Sequence, residues 1–163
     1  MRNRVSTPVP AEILLVEDNA DDLELTLHAL RRENLANKIF TVRDGEEALE
    51  FLFCNGNHNQ RTFDHPPRLV LLDLKLPKVS GLEVLKRVKQ DPRTRSIPVV
   101  VLTSSREERD LFDSYNLGAN SYMQKPVDFD QFRHMVKSAG LYWMVINQYP
   151  LAIPAAQLAA GAH

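Results

Sequence analysis

The amino-acid sequence predicts an α/β fold: a doubly wound, five-stranded parallel sheet with helices on both faces. The first observation is that short apolar runs alternate along the chain with segments in which apolar residues keep helical spacing. The second is the run Leu69 to Leu72, which is unbroken and therefore suits a strand buried on both faces. It leads directly into Asp73, and Pro77 stops the pattern, which leaves little room for a buried helix.

The first two β-α units lie before this central strand. Residues 13–16 are apolar and end at an acidic pair, as expected of a buried strand. Asn19 and Asp21 can accept hydrogen bonds from the free amides at the start of the next helix, whose leucines keep helical spacing. Residues 38–43 alternate in polarity like a strand, and an Asp-Gly turn then leads into a second helix at residues 46–53.

The last three units repeat this alternation and end in a long helix. A serine-glycine pair at residues 80–81 opens the third helix, and Asp91-Pro92 ends it. The remaining predicted elements are a strand at 98–102, a helix at 107–117, a short strand at 121–124 and a long helix from Asp128 to about Asn147. Parallel strands joined in this way require right-handed crossovers, which bring helices to both faces of the sheet.

The chain is predicted to form one domain, because its length allows a buried core and no linker to a second domain is visible. This domain is assigned to residues 12–147, behind a flexible leader at 1–11 and before an Ala-rich tail at 148–163. Residues 54–67 carry no apolar period and are predicted to form a long polar surface loop.

Composition and charge exclude several classes of protein. The formal net charge of −1 gives no sign of a nucleic-acid-binding or membrane-surface protein. No signal peptide or membrane-spanning run is visible, and the single cysteine, Cys54, suits a reducing compartment, so a cytoplasmic location is expected. The histidines show no metal-binding spacing. Surface or loop positions are expected for all five histidines, which are His28, His58, His65, His134 and His163.

Polar residues follow four of the five predicted strands. Glu17 and Asp18 follow the first strand, Asp73 the third, and Thr103 and Lys125 end the fourth and fifth. Because the carboxyl ends of parallel strands meet at one edge of the sheet, these side chains are expected to converge there. Each residue type is common at a strand end by itself, so the signal is their occurrence together.

The predicted cluster suits phosphoryl chemistry with a bound metal ion. Three crowded carboxylates repel one another and raise one another's pKa unless a cation lies among them. Carboxylate oxygens favour Mg²⁺, which accepts phosphate as a further ligand. A divalent ion, the Thr103 hydroxyl and the Lys125 ammonium would each meet one equatorial oxygen of a planar phosphoryl group. Asp73 is then the natural in-line nucleophile and would form an acyl phosphate.

These motifs resemble the receiver domain of two-component response regulators, a flavodoxin-like fold. The residues that carry the resemblance are Glu17-Asp18-Asn19, Asp73 with Leu76-Pro77 and Ser80-Gly81, Thr103-Ser104 and Lys125-Pro126. The resemblance covers about residues 12–138. It implies that a histidine kinase phosphorylates Asp73 in a phosphorelay, and that the chain is a signalling protein and not an enzyme. It also implies self-phosphorylation from a small phosphodonor and slow autodephosphorylation.

The resemblance further implies a set of metal ligands and leaves two alternative functions. Mg²⁺ would be held by Asp18, Asp73 and the backbone carbonyl of Lys75, with Glu17 acting through water. A phosphohydrolase with an aspartyl-phosphate intermediate is disfavoured, because such enzymes commonly carry a second Asp where Lys75 stands here. A receiver-like scaffold that is never phosphorylated is the other alternative, and the complete set of pocket residues argues against it.

The resemblance also implies a conformational switch. Thr103 and Lys125 would bind phosphoryl oxygens, and Tyr122 occupies the aromatic switch position of the family. Phosphorylation is expected to draw the Thr103 hydroxyl inward and to let Tyr122 rotate from an exposed to a buried position. The bond between Lys125 and Pro126 is expected to be cis, a minority state that needs support from the surrounding structure.

Two further features resemble the small regulators that are paired with phytochrome-type histidine kinases. One is the long polar loop, residues 54–67, which precedes the Asp73 strand. The other is the aromatic stretch Leu141-Tyr142-Trp143, followed by Tyr149-Pro150 near the carboxyl terminus. The implied partner is therefore a histidine kinase of the phytochrome type, and the implied output is binding to another protein.

The carboxyl-terminal half predicts a homodimer with twofold symmetry. The face of the last helix that can cover the sheet consists of Phe129, Phe132, Val136, Ala139 and Trp143. Further large apolar residues around it and on the fourth helix are Met135, Leu141, Tyr142, Val145, Ile146, Tyr149, Leu111, Phe112 and Tyr115. A helix that is apolar on most sides must be buried on more than one. One alternative is that residues after Gly140 fold back over the core of the same chain, and another is that the apolar surface docks a kinase.

Overall fold

The sheet has the five parallel strands that the sequence predicts. The computed structural model describes residues 12–33, 38–126 and 128–148. The strands are β1 (Ile13–Val16), β2 (Ile39–Val42), β3 (Leu69–Leu72), β4 (Val99–Thr103) and β5 (Ser121–Gln124). They lie in the order β2-β1-β3-β4-β5, so the direction in which strands are added reverses between β1 and β3. The predicted leader, and the predicted tail after residue 148, lie outside the described residues.

Helices cover both faces of the sheet, which confirms the predicted doubly wound architecture. The helices are α1 (Ala20–Arg32), α2 (Gly45–Leu52), α3 (Gly81–Gln90), α4 (Glu108–Asn116) and α5 (Phe129–Leu141). One core layer joins α2 and α3 to the side chains of one sheet face, and a second joins α1 and α5 to those of the other. Neighbouring strand residues therefore alternate between two dry layers, which explains the unbroken apolar runs.

Side chains that accept hydrogen bonds from backbone amides mark the start of four helices. Asn19 accepts from two amides of the first turn of α1, and Asp128 accepts from the Gln131 amide at the start of α5. The predicted cap at Asn19 is confirmed, whereas Asp21 lies inside the first turn of α1. Each cap pairs amides that would otherwise have no partner, and so helps to fix the residue at which its helix starts.

The last helix is extended, as predicted, but its hydrogen-bond pattern changes. Helix α5 passes directly into a π-helical turn at Tyr142–Ile146. Met144 in this turn is buried, and the Arg68 guanidinium donates a hydrogen bond to its carbonyl oxygen at 3.2 Å. One side of the turn therefore folds back on the core of the same chain. None of the described helices is long and apolar enough to cross a membrane.

The segment 54–67 is a polar loop as predicted, but part of it is built into the fold. It contains a short 3₁₀ turn that ends at His58, whose ring is buried edge-on against Phe40 and Phe51 at 5.2 Å. The Arg61 guanidinium lies 3.6 Å from the centre of the Phe51 ring and donates to the Phe51 carbonyl. His58 therefore lies in the loop, as expected, but its ring is not at the surface, because the aromatic side chains of β2 and α2 enclose it.

Glycine is required where α3 meets the end of β3. A Cβ atom on Gly81 would lie 2.2 Å from the carbonyl oxygen of Asp73 and 2.6 Å from the Cα of Leu74. The Gly81 amide also donates to the Leu74 carbonyl at 2.8 Å. The first turn of α3 is thus pressed against the backbone that carries Asp73, at a distance that only glycine permits.

Replacement of Gly81 by alanine is expected to lower the free energy of unfolding by about 1–3 kcal/mol, the usual cost of forcing extra atoms into a packed interior. Urea unfolding followed by circular dichroism measures this change. The neighbouring Ser80→Gly variant is the control and should lose only a few tenths of a kcal/mol, because glycine is an acceptable N-cap. If Gly81→Ala and the parent chain unfold at the same midpoint, the close approach does not constrain the fold.

Candidate functional site

Strand register brings the predicted residues to one edge of the sheet. Val16 at the end of β1 lies beside Leu72 at the end of β3, so Glu17 and Asp73 follow neighbouring positions. The Asp73 amide donates to the Val16 carbonyl at 3.1 Å. The Lys125 amide in turn donates to the carbonyl of Thr103 at 2.7 Å. The predicted convergence of these residues at the carboxyl edge is therefore observed.

Three carboxylates form a potential metal site at this edge. Glu17, Asp18 and Asp73 each place one oxygen within 4.8 Å of the others. Glu17 and Asp73 are buried, whereas Asp18 is half-buried and leaves one side open to water. An all-oxygen donor set with access for water suits a hard divalent cation such as Mg²⁺. Lys75, whose backbone carbonyl is the fourth predicted ligand, has an exposed side chain.

Lys125 is the cation that balances these carboxylates. Its Nζ lies 2.5 Å from Glu17 Oε2, 2.9 Å from Asp22 Oδ2 and 3.4 Å from Asp73 Oδ2. The side chain is buried, so the three ion pairs form largely out of contact with water. Asp22 was not predicted from the sequence. Its signal is weak, because an acidic residue in the first turn of a helix usually serves only the helix dipole.

Burial, hydrogen bonds and nearby charges together set the pKa values of Glu17 and Lys125. Burial raises the pKa of Glu17 from its ordinary value of 4.5 to about 7, while hydrogen bonds from Lys125 and the Asn19 amide act in the opposite direction. Burial alone would lower the pKa of Lys125, but hydrogen bonds to Glu17 and Asp22 and the charge of Asp73 outweigh it, and the pKa lies above its ordinary value. The ammonium group therefore stays charged at neutral pH.

Thr103 and Tyr122, the residues of the predicted switch, lie on the neighbouring strands β4 and β5. Thr103 is fully buried at the end of β4, and its Oγ1 accepts a hydrogen bond from the Ser105 amide at 3.2 Å. The Tyr122 side chain is partly exposed and packs against the core layer that contains α2 and α3. Its hydroxyl is buried. Burial raises the pKa of this phenol. The phenol hydroxyl is therefore turned inward in this structure, which differs from the exposed starting position that the resemblance implies. A movement of Tyr122 on phosphorylation stays a prediction.

The expected cis bond before Pro126 is wrong for this structure. No cis peptide bond occurs among the described residues, which include both Lys125 and Pro126. The trans form is intrinsically favoured at such a bond by about 0.5–1 kcal/mol. From the trans backbone the Lys125 side chain already reaches all of its carboxylate partners, so nothing in the pocket opposes this preference.

Comparisons with known sequences agree with this geometry. The family model described as the response regulator receiver domain matches residues 13–137. The chain is 41% identical over 141 residues to the probable methanogenesis regulatory protein FilR2 of Methanothrix harundinacea, which covers 86% of this chain and 88% of that protein. It is 38% identical over 143 residues to the response regulator Rcp1 of Synechocystis sp., with 88% of this chain and 95% of that protein covered.

Solved structures with the same fold include regulators linked to phytochromes. The phosphorylated cyanobacterial phytochrome response regulator RcpA has a TM-score of 0.81 at 39% identity, covering 87% of this chain and 99% of its own. The Mn²⁺-bound form of Rcp1 has a TM-score of 0.80 at 38% identity, covering 86% and 99%. The bacteriophytochrome response regulator AtBRR has a TM-score of 0.66 at 52% identity, covering 86% and 100%.

Replacement of Lys125 by methionine is expected to cost about 3–5 kcal/mol at pH 8, as when one partner of a buried ion pair is removed. Without the ammonium group, the pKa of Glu17 in the folded state should rise beyond about 7, whereas the unfolded chain ionises it near 4.5. The folded variant then binds more protons than the unfolded chain between these values, so its stability falls as the pH rises.

Thermal unfolding between pH 5 and pH 8 measures this effect, and the deficit of Lys125→Met should be smaller at pH 5. Lys78→Met is the matched control, because Lys78 is exposed and its ion pairs with Asp44 and Glu46 are at 3.5 and 3.6 Å. It should leave the stability nearly unchanged at either pH, because exposed ion pairs contribute little. A Lys125→Met deficit that is independent of pH would contradict the assigned charge balance.

Proposed function

Since the chain belongs to the response regulator receiver family, we propose that it accepts a phosphoryl group on Asp73 from a histidine kinase. The observation that carries the proposal is the environment of this carboxylate. Asp73 is buried at the end of β3, it shares an oxygen cluster with Glu17 and Asp18, and it lies 3.4 Å from Lys125 Nζ. A nucleophile, a set of metal ligands and a fixed cation are therefore in one place.

In the proposed transfer, a carboxylate oxygen of Asp73 attacks the phosphorus of a phosphohistidine on the kinase. The P–O bond forms as the P–N bond breaks in line with it, and the electron pair stays on the leaving imidazole. The Leu74 amide donates to Asp73 Oδ1 at 2.7 Å and fixes the rotation of the carboxylate. The same attack on acetyl phosphate would give self-phosphorylation, and we expect the acyl phosphate to be lost slowly.

We propose Mg²⁺ as the metal ion, held by Asp18, Asp73 and the backbone carbonyl of Lys75, with Glu17 acting through water. When bound, the ion would neutralise part of the charge on the transferred group. The Mn²⁺-bound structure of the similar protein Rcp1 supports a divalent ion. Lys125 would supply the second positive charge, and to reach a phosphoryl oxygen its ammonium group must exchange at least one of its present carboxylate partners.

We further propose that Thr103 and Tyr122 report the state of Asp73. Thr103 Oγ1 is the hydroxyl that would turn toward a phosphoryl oxygen, and Tyr122 would respond through the space that this movement changes. The relative position of the two residues supports the proposal, because Thr103 ends β4 and Tyr122 lies on the neighbouring strand β5.

We propose a phytochrome-type histidine kinase as the phosphodonor. RcpA and AtBRR, which are described as phytochrome and bacteriophytochrome response regulators, support this choice through their similarity over most of the chain. A cytoplasmic location is the matching prediction. The phosphohydrolase alternative gains no support, since the residue two positions after Asp73 is the exposed Lys75 and not a carboxylic acid.

We propose that the output involves a homodimer formed through the carboxyl-terminal apolar face, defined as Leu141, Tyr142, Val145 and Ile146. These side chains are 43–62% exposed, although Met144 between them is buried. The proposal therefore combines two predicted alternatives, folding back over the core and forming a dimer surface. One side of the π-helical turn covers the core of its own chain, and the other side is exposed and available to a partner. A patch of large aliphatic and aromatic residues is typical of a protein interface.

Replacement of Asp73 by asparagine should abolish phosphorylation, because the amide keeps the shape of the side chain but is not a nucleophile. Incubation with acetyl phosphate and Mg²⁺, followed by mass spectrometry, should show one added phosphoryl group on the parent chain and none on Asp73→Asn. Chelation of divalent ions should also prevent the modification. Asp64→Asn, in the exposed part of the 54–67 loop, is the control and should react like the parent.

Loss of the acyl phosphate in mild base would support an aspartyl ester. A base-labile phosphoryl group that persists on Asp73→Asn would refute the assignment of the phosphoacceptor.

Replacement of both Val145 and Ile146 by serine should weaken the proposed dimer by at least tenfold, because about 1.4 kcal/mol of lost apolar burial already corresponds to that factor. Multi-angle light scattering at micromolar concentration measures the shift to monomer. Point changes are preferable to truncation before Leu141, which would also remove the buried Met144 and its bond to Arg68.

Phe129→Ser is the control, since this residue is 51% exposed at the opposite end of α5. It should leave the dimer unchanged. A parent chain that is monomeric in both phosphorylation states would overturn the dimer proposal.

A further inference from the structure

The end of β2 binds the backbone of the acidic pair that follows β1. The two strands lie side by side in parallel register, with Val42 beside Val16. The Val42 carbonyl accepts a hydrogen bond from the Glu17 amide at 3.1 Å. The next residue, Arg43, donates from Nη2 to the backbone carbonyl of Asp18 at 2.8 Å. Two consecutive residues therefore hold the chain on either side of the pair.

The peptide group between Asp18 and Asn19 is held at both of its polar atoms. Its carbonyl oxygen accepts the hydrogen bond from Arg43. Its N–H donates to Glu17 Oε1 at 3.1 Å, and Glu17 is itself fixed by the 2.5 Å contact with Lys125. Without the Arg43 bond, this peptide group would be free to turn about the remaining one, and the Cα atom of Asp18 would turn with it. The bond therefore helps to orient the Asp18 carboxylate.

Asp18 is the carboxylate of the metal site that most needs this support. Glu17 and Asp73 are buried and contact Lys125. Asp18 is half-buried, and none of the ion pairs among the described residues includes it. A side chain at the open side of a site has more orientations to lose when an ion binds. A ligand whose backbone is already fixed loses fewer, so the ion binds more tightly.

The charge of Arg43 and its hydrogen bond to Asp18 act on metal affinity in opposite directions. Arg43 is exposed, and it forms no ion pair with a described residue. A positive charge beside a cation-binding cluster weakens metal binding by repulsion. The bond to the Asp18 carbonyl favours metal binding, because it holds a ligand in place. The sign of the change in affinity when Arg43 is replaced therefore distinguishes the two effects.

We propose that Arg43 is a positioning residue for the divalent ion and acts through the peptide group between Asp18 and Asn19. The inference rests on the metal site of the proposed function. Arg43 touches neither the ion nor the phosphoryl group, and it keeps the Asp18 carboxylate turned toward Asp73 before the ion arrives. Groups that orient metal ligands commonly contribute about ten- to hundredfold to metal affinity. A single exposed hydrogen bond to a backbone carbonyl puts Arg43 at the lower end of this range.

The test measures Mn²⁺ binding to the full chain in the absence of any phosphodonor. The electron paramagnetic resonance signal of free Mn²⁺ gives the affinity, and competition gives that of Mg²⁺. Arg43→Met removes the charge and the donors but keeps most of the side-chain length. It should weaken Mn²⁺ binding about tenfold, which corresponds to about 1.4 kcal/mol.

A second measurement follows the peptide group directly in the metal-free chain. Hydrogen exchange of the Asn19 amide, measured by NMR, should be faster in Arg43→Met than in the parent, because the peptide group has lost one of its two bonds. The thermal midpoint should be nearly unchanged, since Arg43 is exposed. A merely structural role would instead lower the midpoint.

Lys78→Met is the matched control. It also removes an exposed positive charge, from the connection between β3 and α3. Lys78 contacts the side chains of Asp44 and Glu46 and not the backbone of a metal ligand. This variant should bind Mn²⁺ at least as tightly as the parent and keep the exchange rate of the Asn19 amide.

The outcomes separate this inference from the proposed function. Unchanged or tighter Mn²⁺ binding by Arg43→Met would overturn the role of Arg43, as would an equal loss in Lys78→Met or an unchanged Asn19 exchange rate. A parent chain that binds no Mn²⁺ would overturn the proposed metal site, and this inference with it. The phosphoacceptor role of Asp73 is decided separately, by the acetyl phosphate assay on Asp73→Asn.

Discussion

The charge balance around Lys125 is the interaction on which the site depends. Its ammonium group meets Glu17, Asp22 and Asp73, yet it comes from β5, and β3 and β4 separate β5 from the strand that carries Glu17. Neighbouring strands lie about 4.8 Å apart, so only a long side chain can reach from one strand end to carboxylates on others. Buried carboxylates without this partner would carry a large electrostatic cost, so the ends of β1, β3 and β5 are coupled through one residue.

The same charge balance also suits the site to accept a phosphoryl group, which adds negative charge to that of the carboxylates. Lys125 is already protonated and aimed at Asp73, so no counter-charge has to be brought in from solvent. Its present carboxylate partners are competitors for any phosphoryl oxygen, and a divalent ion among Glu17, Asp18 and Asp73 would lessen that competition by taking over their charge. The arrangement thus links metal binding and phosphorylation by ordinary electrostatics.

Much of the fold and most of the site could be predicted, because both leave local signals. Apolar runs that end at a polar residue identify buried parallel strands and their carboxyl ends together. Asp22 and His58 could not be recognised in this way. Asp22 looks like any first-turn acid, and the burial of His58 depends on two phenylalanines from separate elements. The cis bond expected before Pro126 came from the resemblance alone, and the trans bond observed is the form that such a bond intrinsically favours.

The residues that we propose to sense the site are neighbours along the chain of the two helices with exposed apolar residues. Thr103 ends β4 and α4 starts at Glu108, whereas Lys125 follows β5 and α5 starts at Phe129. A displacement at either strand end therefore has only one short segment to cross before it reaches an apolar surface. On the α4 side, the Ser105 hydroxyl in this segment donates a hydrogen bond to Asp110 of the helix. Few buried contacts hold the rest of α4. On the α5 side the helix is packed along one face of the sheet, so it is more resistant to movement. Of the two helices, α4 is therefore the one whose packing opposes movement less.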